Sequence, residues 1–386
     1  MNSLRISIPL NTIICMWYSL ALCASISVTY AQTQDYYLMI GTYTRKTSEG
    51  IYVYRFNTSS GEFSPVSIAK NISNPGFLAI SPDLQGVYST GGMNGDSVYA
   101  FYFERMTGKL HLLNGRSSEG TGAVHLQVDK TGKWLIVGNY ASPSLSILSI
   151  QKNGLLDKAG QTIVHTGSSI NPERQDKPHI HSINIAPNNK EVFVPDLGTD
   201  KIMTYRLDAT AGTLSPGSPP FTAVAPGSGP RHFTFSPDGK FAYVIQEMES
   251  MITGFQYKNG ALTAFQSIPT LPPDYTGRKW SADIHISPDG KFLYGSNREH
   301  ESLVIFSIDK KKGTLKLVGH QSVHGKTPRN FAIDPTGNFI LVANQDSDNI
   351  TLFKRNKKTG LLSLMDKQIM VSMPVCLKFI PVPEAE

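Results

Sequence analysis

One phrase recurs down this chain. It is a short alternating strand, a turn built on Pro-Asp-Gly or a variant, and then a second strand rich in aromatics. The clearest copies cover residues 232–243 and 284–294, with turns at Ser236-Pro237-Asp238-Gly239 and Ser287-Pro288-Asp289-Gly290. Others turn at Ser81-Pro82-Asp83, Asp129-Lys130-Thr131-Gly132, Ala186-Pro187-Asn188-Asn189 and Asp334-Pro335-Thr336-Gly337. The second turn residue therefore falls at 82, 130, 187, 237, 288 and 335, at intervals of 47 to 57 residues, and a further first strand ends at Pro381. A period of this length, with several strands in each repeat, is the signature of a β-propeller.

Each repeat carries two more strands. After Tyr243 come residues 251–257, a Lys258-Asn259-Gly260 turn and residues 262–265; the same order appears at 303–308, 310–313 and 315–318. Four antiparallel strands, here A to D, make one blade. Seven A strands lie near 77, 125, 183, 233, 284, 331 and 377, and seven B strands near 38, 87, 135, 192, 242, 293 and 340. The first B strand, 36–43, has no A strand before it, and the last A strand, 375–379, has no B strand after it. Pairing the two closes a seven-bladed ring and removes the sheet edges that invite aggregation. The composition agrees with an all-β class, since Gly (33) and Pro (24) are plentiful and charged residues make up only 17% of 386. An open pair of β-sandwiches is the alternative for so many short strands.

Residues 1–31 read as a secretory signal peptide that precedes a single domain at 32–386. Arg5 is the only charge before Asp35, residues 13–24 are largely apolar but short for a bilayer span, and Thr29-Tyr30-Ala31 puts small residues at −3 and −1 of a cleavage site. The expected location is periplasmic or secreted, with no membrane attachment in the mature form. An uncleaved anchor is the alternative, and a lipoprotein through Cys23 is disfavoured by Leu22. Cys15 and Cys23 fall in the leader, so only Cys376 remains. A lone cysteine makes no intrachain disulfide, and its apolar neighbours mark it as a buried small hydrophobe.

Antiparallel strands joined at the Pro-Asp-Gly turn put the start of A and the end of B on one face, beside the central channel. The turns form the other face. Before the A strands stand His125, His179, His181, Arg231, His232, Asp283 and Arg329; after the B strands stand Asn139, Tyr140, Asp196, Glu247, Asn297, Arg298, Asn344 and Gln345. Ordinary solvated loop ends would bring Ser, Gly and Lys instead. The convergence predicts a functional funnel, although any one of these groups could equally close a blade by a hydrogen bond. No nucleophile elbow, Gly-rich phosphate loop, His-Glu-x-x-His or Cys-x-x-Cys competes with it. The formal charge of +6 is spread along the chain. It mildly favours small anions and is no footprint for nucleic acid.

The segments Pro178-His179-Ile180-His181, Pro195-Asp196-Leu197-Gly198-Thr199-Asp200-Lys201, Gly229-Pro230-Arg231-His232, Gln246-Glu247, Tyr294-Gly295-Ser296-Asn297-Arg298 and Thr327-Pro328-Arg329-Asn330-Phe331 resemble the seven-bladed lactonase family. That family includes propeller-type 6-phosphogluconolactonase and is related to the enzyme labelled 3-carboxymuconate cyclase. The resemblance covers nearly all of the mature chain. It implies that His181, Arg231, Glu247 and Arg298 form the catalytic group, with His179 the alternative to His181. Around them, His125, Asn139, His179, Asp196, His232, Asp283, Asn297, Arg329 and Gln345 are the substrate-binding candidates. The departures are the leader and the Glu299-His300 pair after Arg298, where relatives usually carry a small residue.

Lactone hydrolysis needs an activated water, charge stabilisation at the oxyanion and a proton for the leaving alkoxide. Glu247 or His181 could act as general base. Arg231 and Arg298 could stabilise the oxyanion or grip a phosphate or carboxylate. Two arginines in one funnel favour an anionic sugar lactone as the small-molecule partner. The reaction adds only water, so no redox cofactor is needed, and no metal ligand is expected in the preferred reading. Two other readings are a metal-dependent sugar lactonase, with Glu247, Asn139 and Asn297 as oxygen ligands to a Ca²⁺-like ion, and a non-catalytic binding propeller.

Overall fold

A computed structural model describes residues 35–384; the proposed leader at 1–31 lies outside the described residues. The described residues form twenty-eight strands and no helix. The strands pair into seven four-stranded antiparallel sheets. Numbered along the chain from the first B strand, blade 1 holds Pro374–Pro381, Asp35–Thr42, Gly50–Asn57 and Phe63–Lys70, in that order outward. Its innermost pair joins the two ends of the chain: Tyr36 opposes Pro381, Leu38 opposes Phe379 and Ile40 opposes Leu377. Ring closure as read from the sequence is thus present, and the open-sandwich alternative is not what forms.

The turn phrase builds the same local structure in blade after blade. In blade 5, Ser236 Oγ donates to Asp238 Oδ1 at 2.6 Å and accepts from the Phe241 N–H at 2.9 Å. Gly239 sits at φ +68°, which a residue with a Cβ adopts only at a cost. Ser287 and Asp289 repeat the arrangement in blade 6. Aromatics of the B strands then lock neighbouring blades. Tyr243 Oη donates to the Gly313 carbonyl at 2.6 Å, and Tyr294 Oη to the Gly360 carbonyl at 2.7 Å. Between these links the cores are apolar layers shared by adjacent blades. Leu38, Ile40 and Leu377 of blade 1 pack with Ala332, Leu341 and Leu352 of blade 7.

Five of the seven inner strands also begin with an irregularity that the alternating pattern does not encode. The A–B register slips between Pro230 and His232, between Pro328 and Asn330, and between Ala123 and His125. A bulge inserts one residue into a strand and re-aims its side chain. The residues at these slips are Arg231, Arg329 and Val124.

Candidate active site

Arg231 and Glu247 come from the inner pair of blade 5. Arg231 stands on the bulge of strand Pro230–Phe235, and Glu247 directly follows strand Phe241–Gln246. The Glu247 N–H is tied to the Gly229 carbonyl at 2.8 Å, which fixes the exit from that strand. Its carboxylate is then gripped by three guanidiniums. Oε1 accepts from Arg174 Nη2 at 2.5 Å, and Oε2 accepts from Arg298 Nη2 at 2.8 Å and Arg231 Nε at 3.1 Å. The cations are themselves positioned. Arg231 Nη1 donates to the Ala282 carbonyl, Arg298 Nη2 to the Ser281 carbonyl and Arg174 Nη2 to Tyr140 Oη. Trp280 lies between Arg298 and Arg278, whose guanidinium carbons are 3.9 and 4.2 Å from the ring centre. Such stacking holds a planar cation without neutralising it.

Burial on its own would raise the Glu247 carboxyl, but Arg298, Arg231 and Arg174 outweigh it and hold the group far below the usual carboxylate range. Glu247 is therefore an anion at neutral pH. Burial pushes the two inner arginines down, Arg231 to about 10, with Arg329 adding to the effect, and Arg298 to about 9. Both remain cations at neutral pH. One carboxylate against three guanidiniums leaves a surplus of positive charge. Arg329 and Arg45 add to it: both lie over the Tyr43 ring, and neither has an acidic partner among the described residues.

His181 stands beside this cluster and is 3% exposed. Its backbone N–H bonds to the Pro195 carbonyl at 3.0 Å. Its Nδ1 is buried with no hydrogen-bond partner. Burial first, and then Arg231, His232 and Arg329, keep the ring well below its usual titration range, so it is neutral at pH 7. A funnel of about 630 Å³ opens above, walled by His181, Glu247, Arg298, Arg174, Trp280 and Tyr43 and rimmed by Arg45, Arg278 and Arg329.

The family profile described as a seven-bladed β-propeller lactonase matches residues 37–379. The chain belongs to that lactonase family. It is 40% identical over 303 residues to a 6-phosphogluconolactonase of Formosa agariphila, covering 77% of this chain and 86% of the relative. It is 34% identical over 344 residues to that of Bacillus subtilis, covering 88% and 97%. Among solved structures, the periplasmic gluconolactonase of Pseudomonas aeruginosa superposes with a TM-score of 0.86 at 33% identity, covering 90% of this chain and all of the other.

In this lactonase the structure gathers His181, Arg231, Glu247 and Arg298 at one place, with Arg329 on the rim and Arg231 beneath Glu247 rather than on the wall. The other candidates lie elsewhere. His125, His232 and Asp283 line a second cavity of about 340 Å³, among later residues of the A strands such as Ile80, Val128 and Thr234, toward the turn face. The Asn139 Nδ2 donates to the Ser118 carbonyl and Ser144 Oγ, while its Oδ1 is buried without a partner; Asn297 bonds the Thr270 carbonyl and Ser281 Oγ. Asp196 accepts from His165 Nδ1 at 2.7 Å and from the His179 and Gly198 N–H groups. His179 stacks on Tyr140 at 4.4 Å, and Gln345 bonds Asp346. Asn139 and Asn297 are fully buried in blades 3 and 6 and do not meet Glu247 at a common point. Among the described residues no cluster of three or more His, Cys, Asp or Glu has the makings of a metal site.

The site also contains residues absent from the sequence-level candidates, namely Arg174, Trp280, Arg278, Tyr43 and Arg45. Arg174 belongs to the connection 165–179 between blades 3 and 4. Its one signal was the 57-residue interval there, the longest of the set. Trp280 directly precedes an A strand and Tyr43 directly follows a B strand, so the rule that placed His181 and Glu247 reaches both.

Proposed function

We propose that this funnel hydrolyses an anionic sugar lactone, in the manner of a 6-phosphogluconolactonase, using its own side chains and no metal. The observation that carries the reading is that a neutral, buried His181 lines the same funnel as an ionised Glu247 that three arginines hold in place. The division of labour follows from these charges. Glu247 has too little proton affinity to serve as base and acts as the anchor that packs three like charges together. His181 takes a proton from the attacking water and returns it to the ring oxygen as the alkoxide leaves. Arg298 and Arg174, on the funnel wall, oppose the charge that develops on the carbonyl oxygen. One such donor is typically worth about 10²–10³ in rate.

Arg329 and Arg45, stacked on Tyr43 without acidic partners, are the natural grip for the substrate's phosphate or carboxylate. Binding that anion also offsets the positive field that depresses His181. The base therefore strengthens when substrate is present. Export belongs to the same proposal, because residues 1–31 read as a leader and the similar P. aeruginosa protein is named periplasmic. No helix among the described residues is long and apolar enough to cross a membrane.

The test is a pH-stat screen of sugar lactones, with and without a phosphate, on the protein purified from the periplasm or medium. Proton release well above the spontaneous rate is expected, fastest for an anionic lactone. Failure to accelerate any lactone would remove the proposal and leave a binding propeller.

A further inference from the structure

Lactone hydrolysis has a proton balance that the funnel alone does not resolve. Water forms the new acyl–oxygen bond and the bond between the acyl carbon and the ring oxygen breaks. One water proton passes through His181 to the alkoxide. The other remains on the new carboxyl, which ionises at neutral pH. Each turnover therefore sheds one proton. Above His181 the exit is rimmed by Arg45, Arg278 and Arg329, whose field opposes a departing cation.

Below His181 the channel offers another route. The His232 ring centre is 5.4 Å from that of His181, close enough for transfer by a small ring rotation or through one water. His232 Nδ1 meets Asp283 Oδ1 at 2.7 Å, which leaves Nε2 as the nitrogen open to exchange. The other oxygen of Asp283, Oδ2, meets His285 Nε2 at 2.8 Å. The His285 side chain is 37% exposed and lines the 340 Å³ cavity toward the turn face. Asp283 itself is 2% exposed and held in place by the Ile284 and Phe331 N–H groups and by Asn330 Nδ2. The chain thus begins at a buried ring nitrogen with no partner and ends at an imidazole open to the opposite mouth.

We propose that His232, Asp283 and His285 form a relay that carries the proton shed by the product carboxyl, once the neutral His181 has taken it up, to the opposite mouth of the channel. The inference rests on the lactonase reading of the funnel. Burial, with Arg231 adding to it and Asp283 opposing, brings His232 down to about 4. That is close to the roughly 4 of an ordinary carboxylic acid. The groups facing His232 are His181, His125, Arg231, Asp283 and the Phe77 ring, with the charge of His285 also acting on it; Lys378 lies beyond Phe77. His125 packs beside the relay but is not bonded to Asp283.

His285→Ala tests the relay without touching the funnel. In dilute buffer kcat should fall at least about tenfold with KM unchanged. The solvent deuterium isotope effect should rise, and concentrated imidazole, small enough for the lower cavity, should restore the rate. Wild-type kcat in dilute buffer would overturn the relay and leave the lactonase reading intact. A fall in kcat that imidazole does not repair, in a variant with wild-type circular dichroism, would assign His285 a structural role and overturn it equally. No turnover by the wild-type protein would sink both.

Discussion

Arg231 and Glu247, sixteen positions apart at the same end of the paired inner strands of blade 5, meet at 3.1 Å between Nε and Oε2, with both side chains almost wholly buried. The contact is one of three that compress cationic groups around a single anion. Glu247→Gln keeps the shape and removes the charge that holds Arg174, Arg231 and Arg298 together. We expect kcat/KM to fall at least about 100-fold, as loss of charge organisation at an oxyanion site does. Stability should drop by about 3–5 kcal/mol, the usual cost of breaking a buried ion pair. Steady-state rates and urea unfolding measure the two effects.

The same residue gives the acid limb of stability. The folded carboxyl of Glu247 lies below its unfolded value, so its contribution is complete above about pH 4.3 and fades as the pH falls from there toward the folded value. Wild-type melting temperature should therefore decline below about pH 4.3 more steeply than that of Glu247→Gln. Parallel curves in a pH series of thermal melts would remove Glu247 as the cause.

His181 sets the acid limb of activity. Burial, then Arg231, His232 and Arg329, keep its ring neutral well below the ordinary histidine range, so kcat/KM should hold steady through pH 6.5 and fall only in more acid solution. Arg329→Gln removes one cation from that list. Removing a positive neighbour makes imidazolium easier to form, so the limb should move up toward 6.5. A limb that stays in place would mean that another group is the base.

Much of this was legible from residue types and spacing. The turn phrase at 82, 130, 187, 237, 288 and 335 counts the blades because each copy carries a residue in the left-handed region, and the copies at 82, 237 and 288 also share a Ser–Asp bond. The face shared by A starts and B ends follows from antiparallel pairing alone, and His181, Glu247, Arg298 and Arg329 all fall on it. Depth along the channel was not legible. Arg231 and His232 are adjacent, yet one supports the funnel and the other lines the lower cavity, because a one-residue bulge interrupts the alternation. Nor could spacing separate Asn139 and Asn297, which close their own blades, from groups free to meet a ligand. That distinction depends on loop carbonyls far away in sequence.

Chelators should leave activity unchanged. Both Glu247 oxygens already accept from guanidiniums, so a cation could bind there only by displacing them. Dialysis against EDTA followed by assay in metal-free buffer checks this. A loss restored by Ca²⁺ would revive the metal-dependent reading.

Ring closure makes the last prediction. Leu377 and Leu38 come from opposite ends of the chain but share one buried layer between blades 1 and 7, at 3% and 0% exposure. Leu377→Ala should cost about 2–5 kcal/mol, as large-to-small changes in packed cores do. Leu364, on the outermost strand of blade 7, is 43% exposed, and its replacement by Ala should stay within about 0.5 kcal/mol. Removing residues 374–386 is more severe. It strips the inner partner from Asp35–Thr42, bares a row of unpaired backbone groups and exposes apolar faces of two blades. That truncated protein should aggregate rather than melt cooperatively, and size-exclusion chromatography with thermal melts distinguishes the outcomes. A soluble, cooperatively folding truncation would mean that the other six blades close without the strand the two termini build together.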